Sequence, residues 1–186
     1  MQIEESGVVF GNFNEEMCFH IEKANFYENK LKGYGIKSTE FMLFKDNPAK
    51  LFIVEAKTTA PNVSSQKLNK ECVVCKQACK AWDLYKHEVE TKFSHTLTMQ
   101  SLLYLDRLEK DGISSRFTSI SWKKDLEICL VLVITSDDEW YKNKDYISQI
   151  QDALRKHCKP LLRLWNAELL VYNKDMALEK KLIVQP

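Results

Sequence analysis

STEFMLFKDNPAKLFIVEAKTTAP, Ser38 to Pro61, holds two apolar runs, Glu40–Phe44 and Leu51–Ala56, around Asp46-Asn47-Pro48. Apolar runs of this length divided by Asp, Asn and Pro predict two strands and a tight turn. With Asp46–Ala49 as the turn, Lys45 faces Lys50, Glu40 faces Glu55 and Ser38 faces Lys57. Side chains alternate across a strand, so Glu40, Glu55 and Lys57 are expected on one face. Directly opposed side chains have Cβ atoms about 4.5–5.5 Å apart, close enough for two carboxylates to share an ion.

That pattern needs a physical reason. Like charges facing each other destabilise a strand pair, and an ionised group in a dry sheet costs several kcal/mol unless it is paired. A divalent cation between Glu40 and Glu55 removes both objections. A plain ion pair of Lys57 with either acid is the alternative.

The pattern resembles the PD-(D/E)XK nuclease superfamily, whose motif is an acid on one strand and (D/E)-x-K on the next. Glu40 stands at the position of the family's Asp, Thr39 replaces its Pro, and Glu55-Ala56-Lys57 supplies the second half. Glu-x-Lys recurs at Glu28–Lys30, Glu90–Lys92 and Glu179–Lys181, in polar or helical surroundings. Only the Glu55 copy ends an apolar strand. The resemblance spans about Asn14 to Leu105. It implies a single restriction-endonuclease-like α/β domain over 1–186, with a central mixed sheet, an antiparallel hairpin and flanking helices. It also implies phosphodiester hydrolysis with Mg²⁺ or Mn²⁺, which prefer oxygen ligands. Glu40, Glu55 and the Ala56 carbonyl would hold the metal, and Lys57 would act on the attacking water. Many superfamily members add an acid on the helix before the hairpin, which makes Glu22 or Glu28 the candidate here. Gln100-Ser101-Leu102-Leu103-Tyr104 resembles the Q-x3-Y pattern of RecB-like members. Gln100, together with Lys67 from the lysines Lys67, Lys70, Lys76 and Lys80, is therefore a candidate nucleic-acid contact, with DNA expected ahead of RNA. A catalytically inactive nuclease-fold protein that binds nucleic acid or assembles with a protein partner or a second copy is the rival reading.

The remaining chain is expected to build around this hairpin. Asn14 to about Lys32 has the signals of a helix, with Asn14 as cap, Glu15 and Glu16 in the first turn and Gly33 as stop. Its apolar face would be Phe13, Met17, Ile21, Ala24 and Leu31. No Gly or Pro occurs from Asn62 to Asp111, which predicts one long bent helix or two helices meeting near Ser94-His95-Thr96. Leu126–Thr135 is nearly all apolar and β-branched, a strand buried on both faces. A helix through Ile147, Ile150, Leu154 and His157, a strand at Glu168–Tyr172, a short helix over Lys174–Lys181 and an extended piece at Leu182–Val184 complete the expected order.

Net charge is +1, so no global field draws nucleic acid, and a passive coating protein is not expected. A nuclease with a local basic groove remains compatible. The first residues lack a basic region followed by an apolar core, so no secretory signal is expected. No run reaches the roughly 20 apolar residues that span a bilayer, so no membrane partner is expected. Cys72, Cys75 and Cys79 continue a helical stripe with Leu68, Trp82, Val89 and Phe93, which predicts buried thiols rather than metal ligands. Reduced cysteines point to the cytoplasm.

Overall fold

The structure, a computed structural model, describes residues 1–46, 49–61, 73–120, 122 and 125–185. A first hairpin, β1 (Gln2–Glu5) and β2 (Val8–Gly11), opens the chain. Gly11 sits at φ +146°, and a Cβ there would lie 2.9 Å from the Met1 carbonyl oxygen, so only glycine lets the two strands close at this point. Strand β3 (Cys18–Phe19) pairs antiparallel with β4 (Phe41–Asp46), which pairs antiparallel with β5 (Ala49–Lys57). The register runs Phe41↔Val54 through Lys45↔Lys50, as the turn chemistry predicts.

Helix α1 (Val73–Tyr104) then crosses over to β6 (Glu127–Ile134), which lies parallel to β5 along its whole length. The short helix α2 (Ser115–Thr118) interrupts the return. After β6 come α3 (Glu139–Lys142), α4 (Lys144–His157) and α5 (Lys159–Trp165), and then β7 (Ala167–Asn173), parallel to β6. Helix α6 (Lys174–Glu179) leads to β8 (Ile183–Gln185), which pairs with β2. The result is an α/β fold with a mixed five-stranded sheet, β3-β4-β5-β6-β7, and a three-stranded antiparallel sheet, β1-β2-β8.

Side-chain parity separates the two faces of the central sheet. Met42, Leu51, Ile53, Leu130, Leu132 and Ile134 join Trp82, Val89 and Phe93 of α1 and Ile150 and Leu154 of α4 in one core. Phe41, Leu43, Val54, Val131 and Val133 face the small sheet, meeting Ile3, Phe10 and Ile183. Both faces of β6 are therefore covered, which is why it reads as an unbroken apolar run. Among the described residues no helix is long and apolar enough to cross a membrane.

The predicted helix from Asn14 to Lys32 does not form. That segment holds β3, a 3₁₀ turn over Ile21–Lys23, a π turn over Tyr27–Leu31 and a further 3₁₀ turn over Lys32–Tyr34. Phe19, Ile21, Ala24, Phe26 and Tyr27 are all buried, a spacing no single helical stripe accommodates. The Asn14 side chain accepts from Glu16 N and closes a local turn instead of capping a helix. Of the cysteine stripe, Cys72 lies outside the described residues and Cys79 is half-buried on α1.

Candidate metal centre

Position parity puts Glu40, in phase with Met42, and Glu55 and Lys57, in phase with Leu51 and Ile53, on the α1 face of the sheet. The ladder itself stops one residue short of the expected Glu40–Glu55 rung. It ends at Phe41↔Val54, and Glu40 N donates to Val54 O at 3.0 Å. The carboxylates nevertheless meet. Lys92 Nζ of α1 lies 2.7 Å from Glu55 Oε1 and 3.5 Å from Glu40 Oε1, so the two oxygens are at most 6.2 Å apart (2.7 Å plus 3.5 Å).

A line of polar residues on α1 holds this end of the hairpin. Glu88, Lys92 and Thr96 follow at four-residue spacing, which stacks them along the flank of the buried stripe Tyr85, Val89, Phe93 and Leu97. Glu88 Oε1 accepts from Lys57 Nζ at 2.7 Å, and Lys92 reaches both carboxylates. Thr96 Oγ1 accepts from Thr39 N at 3.0 Å. His95 Nδ1 accepts from Lys37 N at 3.1 Å, and Ser38 Oγ donates to Glu22 Oε1 at 3.4 Å. Lys37 and Thr39 are thus stitched to α1, and Ser38 to the 3₁₀ turn that carries Glu22, before the chain enters β4, which fixes where Glu40 points.

Both acids are out of water: Glu55 is 0% exposed and Glu40 is 4% exposed. Glu55 Oε2 has no hydrogen-bond partner among the described residues, and Oε1 meets Lys92 by distance without hydrogen-bond alignment. Burial pushes the Glu55 carboxyl up to about 7 against the pull of Lys92 and Lys57. Burial and the neighbouring Glu55 push Glu40 up to about 8. Burial alone would lower Lys92, but the Glu55 and Glu40 carboxylates outweigh it and hold the ammonium above its ordinary value. The hydrogen bond from Lys57 holds Glu88 below the usual carboxylate range. Tyr85 Oη is buried beside this cluster with no hydrogen-bond partner among the described residues, and burial together with the field of Glu55 raises its phenol.

The two acids set a pH dependence. A carboxyl whose folded value is raised contributes stability that is fully present below its unfolded value, 4.5, and is lost as pH rises through about 7 to 8. Thermal melts in chelator are therefore expected to move to lower temperature between about pH 5 and about pH 8.5. Glu40→Gln should flatten that slope. An unchanged slope in the variant would mean that Glu40 is not the titrating group.

The other predicted residues divide. Successive carbonyls point to alternate sides of a strand; Val54 O accepts from Glu40 N and Lys57 O from Thr135 N. The Ala56 carbonyl is therefore directed to the side of β4, where Glu40 sits. Glu22, half-buried, adds its field to both Glu40 and Lys92, whereas Glu28 is exposed on the π turn. Gln100 is fully buried: its amide nitrogen donates to Phe117 O, and its Oε1 has no hydrogen-bond partner among the described residues. Lys67 lies outside the described residues. Lys37 is exposed, and its charge helps to hold Glu88 low.

A cavity of about 580 Å³ lined by Tyr104, Leu105, Trp122 and Trp165 lies beside Ile128, at the start of β6. That is the opposite end of the parallel strands from Glu55 and Lys57, and its lining is chiefly apolar. No family model matches the chain, and neither a curated protein nor a solved structure matches it.

Proposed function

We propose that the chain is a divalent-metal-dependent nuclease that hydrolyses phosphodiester bonds, in DNA ahead of RNA. One observation carries this reading: two buried carboxylates converge at the end of an antiparallel hairpin, with a lysine two residues after the second acid on the same face. Glu55 Oε2 is fully buried and has no hydrogen-bond partner among the described residues, which leaves that oxygen free to ligate a cation. The meander β3-β4-β5, the α1 crossover and the parallel strand β6 are compatible with a restriction-endonuclease-like core.

In this reading Glu40, Glu55 and the Ala56 carbonyl hold Mg²⁺ or Mn²⁺, with Glu22 as an outer acid. The bound ion supplies Lewis-acid polarisation of the phosphate and a more acidic water. Lys57 is tethered by Glu88 and remains 24% exposed at its side chain, so its ammonium meets the scissile phosphate and stabilises developing negative charge. Lys37 and Lys57 both lie close enough to act on Glu88, and Lys57 is ion-paired with it. Buried Cys18, Cys129 and Cys158 form no disulfide, in keeping with a reducing cytoplasmic setting.

A second reading rests on Lys92. Its ammonium bridges both acids, so the hairpin already contains a counter-ion, as a binding or assembly subunit without catalysis would need. Calorimetric titration with Mn²⁺ and Mg²⁺ at about pH 8, paired with cleavage assays on single- and double-stranded DNA and RNA, separates the two. The nuclease is expected to bind Mn²⁺ with proton release, because raised carboxyls must ionise to ligate, and to cut at least one substrate. Binding that is unaffected by Glu55→Gln, or no cleavage of any substrate, would hand the chain to the second reading.

A further inference from the structure

We infer that the seam between α1 and α4 carries a separate transition-metal site made by His87, Glu90 and His157. A ligand atom from each of these three side chains lies within 4.8 Å of the other two. The sequence scatters them: His87 and Glu90 are one turn apart on α1, and His157 closes α4 some seventy residues later. Packing of α4 against α1 brings them together. At 100° per residue, His87 and Glu90 fall on the opposite flank of α1 from Glu88 and Lys92, so this cluster is distinct from the paired acids of the hairpin.

The geometry is poised rather than satisfied. His157 Nε2 is buried and makes no hydrogen bond among the described residues, although Glu90 Oε2 lies 3.1 Å away. A buried ring nitrogen aimed at a carboxylate without hydrogen-bond alignment is an unmet donor or an unmet ligand. Two imidazoles and one carboxylate form the donor set that suits Zn²⁺ and its borderline relatives, and hard Mg²⁺ far less. Zn–N and Zn–O bonds of about 2.0–2.2 Å in a tetrahedron put ligand atoms roughly 3.3–3.6 Å apart. Side-chain rotation of about an ångström closes the cluster to that size. His87 is exposed and the other two are half-buried, so solvent reaches the ion and a fourth position stays open to water. The ion would pin the last turn of α4 to the middle of α1, the helix that covers the paired acids. Zn²⁺ ligates only unprotonated imidazole, so its affinity falls on acidification.

The test is titration of chelator-treated full-length protein at about pH 7.5 with Zn²⁺ by calorimetry, and with Co²⁺ by visible absorption. One tight ion per chain is expected in Glu55→Gln, where the hairpin acids are disabled, with cobalt bands of a four- or five-coordinate site. His87→Ala and His157→Ala should each weaken Zn²⁺ binding by about 10²-fold or more. Glu55→Gln should leave it unchanged. His87 is exposed, so its variant keeps the fold if His157→Ala does not. The inference is overturned if the wild type binds no Zn²⁺ tighter than about 0.1 mM. It is also overturned if His87→Ala binds as well as wild type, or if Glu55→Gln abolishes binding and so moves the ion to the hairpin.

Discussion

Lys57→Ala is expected to slow Mn²⁺-supported phosphodiester cleavage by about 10²–10³-fold while leaving Mn²⁺ affinity near that of wild type. The ammonium lies 2.7 Å from Glu88 and 3.4 Å from Glu55, at the solvent edge of the paired acids. A preorganised cation at that edge acts on charge that develops in the transition state, so its loss falls on turnover more than on binding. Stability should change little, by about 1 kcal/mol or less, because Lys92 and not Lys57 is the near partner of Glu55. Single-turnover cleavage and a thermal melt on the same variant settle the matter. Equal cleavage by variant and wild type removes Lys57 from the chemistry. A large drop in melting temperature would instead make it a structural counter-ion.

Lys92→Met should do the reverse. Methionine keeps most of the stem volume and removes the charge that faces two buried carboxylates. At about pH 8.5 in chelator, the loss is expected to reach about 3–5 kcal/mol, on the order of 10 °C in melting temperature. At about pH 5 both acids are protonated in the folded chain, their values lying near 7 and 8, so the loss should shrink to the packing difference alone. Mn²⁺ should recover more stability in Lys92→Met than in wild type, because the carboxylates then keep only the more distant Lys57 ammonium as a counter-ion. Equal destabilisation at both pH values would show that Lys92 matters only through packing. Failure of Mn²⁺ to stabilise the variant would count against a metal at Glu40 and Glu55.

Much of the central sheet was legible because the determinants are local. Asp46 to Ala49 chose the turn, the turn chose the register, and parity then put Glu40, Glu55 and Lys57 on one face. The unbroken apolar run 127–134 announced a strand covered on both sides, and β6 is one. Residues 14–32 misled because a cap signal and acidic first turn outweighed a spacing, Phe19-x-Ile21, that belonged to a sheet edge and its turns. Gln100 sits on a helix pattern that allows a surface position, and only the docking of Phe117 shows its amide nitrogen bonded in the interior, with Oε1 left without a hydrogen-bond partner among the described residues. Lys92 was hidden for a different reason. Its Glu90-x-Lys92 copy lies in helical surroundings, and which flank of α1 lies over Glu55 is decided by long-range docking. A signal existed in the polar line Glu88, Lys92 and Thr96 beside an apolar stripe, four residues apart each time. The His87, Glu90 and His157 cluster carried no such signal, since its members belong to two helices.

The β4–β5 hairpin and the helix that covers it differ in how early each can form. A hairpin closes within microseconds from contacts a few residues apart, and its Glu40 and Glu55 carboxylates are still hydrated at that stage. The parallel pairing of β5 with β6 must wait for closure of a loop some seventy residues long, with α1 inside it. Desolvation of the acids therefore belongs to the docking of α1, late in folding. Docking of α1 is thus opposed by the desolvation of the two acids and favoured by each cation placed beside them, Lys92 of the helix itself being the first.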